Sequence, residues 1–231
     1  MSPGAFAAAA LPPLDLSMAG QPLTMMGLLV ALALLPFAVV MLTSFSKIVV
    51  VLSITRSALG TQQAPPTIVL TGLAAILSAH IMTPVLERSY AAGEAAYQRV
   101  GTSAGLVASA RSVAKPLQEF LFRHGAAEER ERFVDLARSI RPPAEAGEVA
   151  EGDFSVVVPA FVLTELKEAF EIGFLVFLPF LVLDMVIANV LLALGMQTLS
   201  PSQVSLPFKL LLFVAVDGWG LLARGLILGY R

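Results

Sequence analysis

Between Asp15 and Lys47 the sequence contains no Asp, Glu, Lys, Arg or His. No other feature restricts this chain so severely, because a stretch of that length without a charge has no polar face to turn toward water. A helix needs about 20 apolar residues to cross the hydrocarbon of a bilayer, and residues 23–43 supply them. Pro36, in the interior of this segment, is expected to bend it, since proline removes a backbone donor and crowds the preceding turn.

Three more apolar segments follow, and they differ in how they treat charge. SFSKIVVVLSITRSAL is expected to be a helix that stops at GTQQAPP, where Gly60, Pro65 and Pro66 supply termination. It carries Lys47 and Arg56, which makes it a poor helix for facing lipid. Residues 67–86 are uncharged apart from His80, with Pro84 near the end, and read as a return crossing. After a polar middle, residues 172–194 are strongly hydrophobic around Asp184, and residues 206–230 are apolar but interrupted by Lys209, Asp217 and Arg224.

The polar middle, residues 88–153, holds 19 of the 32 charged residues, a density typical of structure exposed to water. Its helices are expected to break at Pro116 and Gly125, with Leu117, Phe120 and Leu121 on one face and Phe133, Leu136 and Ile140 on another. RPPAEAGEVAEGD then reads as a linker. The expected organisation is all-α. It consists of a tail over residues 1–20, an apolar helical hairpin region over 21–87, a polar, periplasmic helical domain over 88–153, and a second apolar hairpin region over 154–231. Residues 1–20 lack Lys and Arg, so they do not have the positive region of a secretory signal.

The whole chain is 57% hydrophobic and 14% charged, against about a quarter charged in soluble domains. Lipid or a large protein partner must cover the excess apolar surface. A formal net charge of −2 gives no phosphate-binding character, so nucleic acid is excluded as a partner. The absence of cysteine removes disulfides, thiolate catalysis and Cys-ligated metals.

The charges within the apolar helices need an explanation, because Asp, Lys or Arg at the centre of a spanning helix costs roughly 2.5 to 3.5 kcal/mol on insertion scales. Lys47, Arg56, Glu165, Lys167, Glu168, Asp184, Lys209, Asp217 and Arg224 are therefore expected to pair, to enter a protein interface, or to reach water. Ion pairs that fix register between subunits, helices that do not sit in lipid, and a proton or ion pathway all remain open. Lys47 and Arg56 lie nine residues apart, about 180 degrees on a helix of 3.6 residues per turn, so they cannot serve one interface.

Other chemistry is thin. His80 and His124 are distant in sequence and show no metal-ligand spacing. No GxSxG elbow or Walker sequence occurs, so no catalytic, cofactor or metal residue is assigned and the chain is not expected to be an enzyme. Gly225 and Gly229 have the GxxxG spacing of closely packed helices. The tripeptide LPF occurs twice; Pro179, within apolar helix on both sides, is expected to kink it, whereas Pro207 is expected to mark a helix end after SPSQVS.

The stretch MLTSFSKIVVVLSITRSALGTQQAPPTIVLTGLAAILSAHIMTPV resembles the N-terminal signature of the type III secretion export-apparatus family called SctR in injectisomes and FliP in flagella. The resemblance continues through PAFVLTELKEAFEIGFLVFLPFLVLDMVIANVLLALGM and SPSQVSLPFKLLLFVAVDGWGLL. It implies a subunit that forms a pentameric ring with SctS/FliQ-like and SctT/FliR-like partners. SctU/FlhB-like and SctV/FlhA-like subunits and the needle or rod base lie nearby. The assembly would pass unfolded secreted proteins across the bacterial inner membrane, its core displaced toward the periplasmic side and membrane lipid around it. It further implies that neighbouring subunits surround Lys47, Asp184 and Lys209.

In this family the loop after LALGM supplies a methionine-rich gasket, and the matching positions here are Met196, Gln197 and Thr198. Methionine is flexible and polarizable, suited to a seal that closes on itself and yields to a passing chain. With Gln and Thr in the next two places the seal is expected to be thinner or more polar. The absence of a signal favours the injectisome branch. A small ion-coupled membrane transporter is the alternative function, and a structural scaffold lining no channel is a third.

Overall fold

The computed structural model describes residues 22–61, 63–100, 103–142 and 147–231. The expected tail over residues 1–20 lies outside them. Eight helices and no strand occur among the described residues. They are α1 (Pro22–Met41), α2 (Phe45–Ala58), α3 (Thr67–Val100), α4 (Ser103–His124), α5 (Ala127–Ile140), α6 (Phe154–Ala193), α7 (Pro201–Ala215) and α8 (Gly218–Leu228). The all-α class expected from the sequence is what the chain adopts.

The chain divides into two compact units, residues 1–38 and 39–231. The first holds most of α1, a 20-residue helix with Pro36 inside it, whose large side chains, Leu29, Leu35 and Phe37 among them, are exposed. The second is built around α2, which packs against both α3 and α6. α4 lies against α3 and α6, α5 and α7 lie against α6, and α8 touches α3 and α7.

The core of this unit joins Ile48, Val51 and Leu52 of α2, Leu70, Ala74 and Leu77 of α3, Phe120 and Leu121 of α4, Val157 and Phe161 of α6, and Leu226 of α8. Lipid tails are as apolar as leucine, so helices that meet in a membrane gain most from close van der Waals contact, for which small residues are suited. The sequence provides them where α2, α3 and α6 approach: Ala74, Ala160 and Ala169 are fully buried. At Gly173 the approach is so close that a Cβ would lie 2.5 Å from Ile54 Cδ1.

Among the described residues, two helices are long and apolar enough to cross a membrane, over Thr67–Ala96 and Phe154–Ala193. α7 and α8 meet the same test as a pair bent by 58°. α6 runs 40 residues without interruption, roughly 60 Å at 1.5 Å per residue and about twice the hydrocarbon thickness. Pro159 and Pro179 both lie inside it.

Several expectations are corrected. α3 continues through residues 87 and 88 to Val100, because the onset of charge changes what a helix faces without breaking its hydrogen bonds. Pro116 does not end a helix; it is buried inside α4, whose break comes at Gly125 as expected. Pro207 likewise lies within α7, and it is Pro201 that takes the first helical position, where its missing N–H costs nothing. On α5 the buried apolar side chains are Val134 and Ala137, with Phe133 packed beside them, while Leu136 and Ile140 face outward.

The corner between α4 and α5 is fastened by Arg130, whose guanidinium donates to the carbonyls of Phe122 (2.9 Å) and Gly125. The Ala126 N–H donates to Thr164 Oγ1 of α6 at 2.9 Å. Orphan groups at two helix ends are thereby satisfied, and the polar helices are tied to the long apolar one.

Candidate functional site

Lys47 enters the core from the first turn of α2, 5% exposed, and meets α6 about three and four turns from its start. Its Nζ lies 2.9 Å from Oε1 of fully buried Glu165 and 2.6 Å from Oε2 of half-exposed Glu168. The contact with Glu165 Oε1 is an ion pair without hydrogen-bond geometry. The other oxygen, Oε2, accepts from the Tyr230 hydroxyl. Lys47 Nζ also stands 4.4 Å from the centroid of the Tyr230 ring, within range of a cation–π contact.

The opposite side of that ring belongs to α4. Phe120 stacks on Tyr230 at 6.0 Å and His124 tilts against it at 5.1 Å. Burial, and secondly the nearby Lys47 and Arg123 cations, hold the His124 imidazole below its ordinary 6.5, with Glu168 opposing. One buried cluster thus fastens α2, α4, α6 and the residues after α8. Sequence reasoning found Lys47, Glu165 and Glu168 but missed Tyr230. The available signal was a phenol at the end of an apolar helix, since a buried Tyr hydroxyl needs a partner.

A second cluster lies at the far end of α2. Lys209 Nζ is 2.6 Å from Asp184 Oδ2 and donates to the Ala58 carbonyl at 3.1 Å. Ser205 Oγ donates to Asp184 Oδ1 at 2.5 Å. The Ala58 carbonyl belongs to the last residue of α2, so the ammonium supplies a positive charge where the helix dipole is negative. α2, α6 and α7 are locked together by one buried cation. Of the outcomes expected for these charges, Lys47, Asp184 and Lys209 take pairing within the chain.

Arg56 and Lys47 diverge as the helical pitch requires. Arg56 donates to Thr67 Oγ1 at 2.9 Å, bridging the turn from α2 to α3. Lys167, Asp217 and Arg224 are exposed, and none forms an ion pair among the described residues. Asp217 takes the left-handed conformation (φ 52°) at the bend between α7 and α8. His80 is exposed, and no cluster of three metal-ligating side chains occurs among the described residues.

The loop between α6 and α7 carries Met196, Gln197 and Thr198, all exposed. Its start is held by the main chain. Gly195, at φ +73°, donates to the Leu192 carbonyl at 3.0 Å, and Met196 donates to the Leu191 carbonyl at 2.9 Å. These are the two bonds of a Schellman motif, which requires the left-handed residue that glycine provides. Met196 is consequently placed by the helix end rather than by packing, and its side chain remains 43% exposed.

A family model described as the FliP family matches residues 28–226. The chain belongs to the FliP family. Among its relatives is the hypersensitivity response secretion protein HrcR of Ralstonia nicotianae, 48% identical over 204 residues that cover 87% of this chain and 94% of the relative. The Yop proteins translocation protein R of Yersinia pestis is 44% identical over 206 residues, covering 86% and 92%. The flagellar biosynthetic protein FliP of Caulobacter vibrioides is 43% identical over 207 residues, covering 90% and 76%. The resemblance read from the residues is therefore borne out, and the matched region of this FliP-family chain includes the charged residues of both clusters and the Met196 loop, while Tyr230 lies just beyond it.

Proposed function

We propose that this chain is a pore- and gate-forming core subunit of a type III secretion export apparatus in a bacterial inner membrane. It would work as a conduit rather than an enzyme, in a ring of its own copies with SctS-like and SctT-like subunits. The observation that carries this reading is the loop after α6: an exposed methionine, fixed by main-chain bonds at the end of a 40-residue apolar helix. Such side chains brought together around a ring axis form a compliant seal.

The charge pattern supports assembly over ion-coupled transport. Lys47, Glu165, Asp184 and Lys209 are already partnered inside the chain, while outward-facing Phe170, Phe174, Val182, Val186 and Val190 leave α6 apolar toward its surroundings.

The test is Met196→Ala in the assembled complex, read as ion or small-molecule leakage across the membrane. Leakage should rise while assembly is retained. Normal assembly with unchanged leakage would refute the gate, and native mass spectrometry that finds only monomer in the presence of partner subunits would refute the ring.

A further inference from the structure

On α6, Lys167, Phe170, Glu171 and Phe174 follow the i, i+3, i+4, i+7 spacing of one helical face, and all are exposed, both phenylalanines by 61%. Lys167 and Glu171 are one turn apart but do not pair, and Glu171 has no ion-pair partner among the described residues. On α8, Arg224 and the next residue, Gly225, are both exposed, Arg224 without an ion pair among the described residues, and a Cβ placed on Gly225 would meet nothing within 4 Å. An acid flanked by two large rings therefore stands on one helix, and a base next to an open glycine position on another.

We propose that these two faces are the halves of one interface between copies of this chain, with Glu171 of one copy paired to Arg224 of the next. The inference rests on the ring reading above and specifies where the copies meet. Glu171 lies in α6, which passes the membrane test, and Arg224 in α8, which passes it together with α7 as a bent pair. A charge facing lipid is costly unless a partner is supplied. Neither Glu171 nor Arg224 forms an ion pair among the described residues, Lys167 included. Opposite charges on two separate patches make a complementary pair only when the patches belong to different copies. The bulky side chains on α6 match the open position at Gly225, as small residues let helices approach closely in membranes.

Where each copy offers its α6 face to one neighbour and its α8 face to the other, the contact is heterologous, propagates head to tail and closes as a ring when the rotation between copies closes; in a two-fold dimer the same pair of faces would meet twice. The same two faces are then used at every junction.

The experiment uses the full chain expressed with its partner subunits, in two differently tagged copies, one carrying Glu171→Cys and the other Arg224→Cys. Oxidation should produce a disulfide between the tags. In parallel, Glu171→Arg and Arg224→Glu should each lower the ratio of oligomer to monomer by about tenfold, with the double exchange restoring most of it, as expected for a directly coupled charge pair. Both positions are exposed in the single chain, so the thermal melt of each variant monomer should be unchanged. Oligomers that form without the crosslink and tolerate both single exchanges would overturn the interface while leaving the ring intact. A chain that stays monomeric with its partners present would overturn both.

Discussion

Replacing Lys47 with methionine removes the charge and keeps the length of the side chain, which isolates the electrostatic role of the buried cluster. Glu165 is fully buried, and its remaining polar partner is the Tyr230 hydroxyl. Glu168 is 47% exposed, so water compensates it and its loss of Lys47 contributes little. The cost is therefore that of leaving one buried carboxylate without its cation, about 3–5 kcal/mol. For a chain of this size each kcal/mol corresponds to about 2–4 °C in melting temperature, which gives an expected fall of roughly 6–20 °C.

Trp219, the single tryptophan, packs edge-on against Phe213 at 5.1 Å, so its fluorescence reports the melt in detergent. Lys47→Met combined with Glu165→Gln should recover most of the loss, since removing both members of a buried pair is far milder than removing one. A single variant that melts within 2 °C of the parent would refute the argument, as would a double variant no better than the single.

Lys209→Met strips Asp184 of its cation and the Ala58 carbonyl of its donor, and should lower stability by about 3–5 kcal/mol, whereas Ser205→Ala, which removes one hydrogen bond to Asp184, should cost about 1 kcal/mol; the same fluorescence melts rank the two. His124 titrates below 6.5 in the folded chain, so the unfolded chain takes up the proton first as pH falls. The stability contributed by neutral His124 is full above pH 6.5 and declines below it, and His124→Asn should flatten that part of a melting-temperature profile. Gly218→Ala would place a Cβ 2.2 Å from the Phe213 ring, an overpacking expected to cost about 1–3 kcal/mol, visible as a shift in Trp219 emission. Gly195→Ala meets no neighbouring atom, so its whole cost, about 1–2 kcal/mol, comes from the left-handed backbone, and Gly195→Asn should recover part of it.

The helical pitch and the runs without charge were enough to read the helices and to separate Lys47 from Arg56. The ion pairs were not legible, because Asp184 and Lys209 are 25 residues apart across a turn and Lys47 and Glu165 are separated by the entire polar domain. Proline misled twice for a related reason. At Pro116 and Pro207 the helix persists because tertiary contacts with neighbouring helices offset a missing hydrogen bond, and a single sequence does not display those contacts. The partners of Lys47 were hidden for the same reason, since α2 meets them only by folding against α6.

The uninterrupted course of α6 gives the molecule a mechanical lever. Its beginning is bolted to the polar helices through Thr164 and its end emerges at Met196, so the two are joined by a stiff rod rather than by a chain of loops. At 1.5 Å per residue, pivoting that rod by about 5° swings its far tip roughly 5 Å sideways. That distance is comparable to the girth of an extended polypeptide, so under the gate reading proposed above a small rotation at the start of α6 would widen or narrow the seal at Met196.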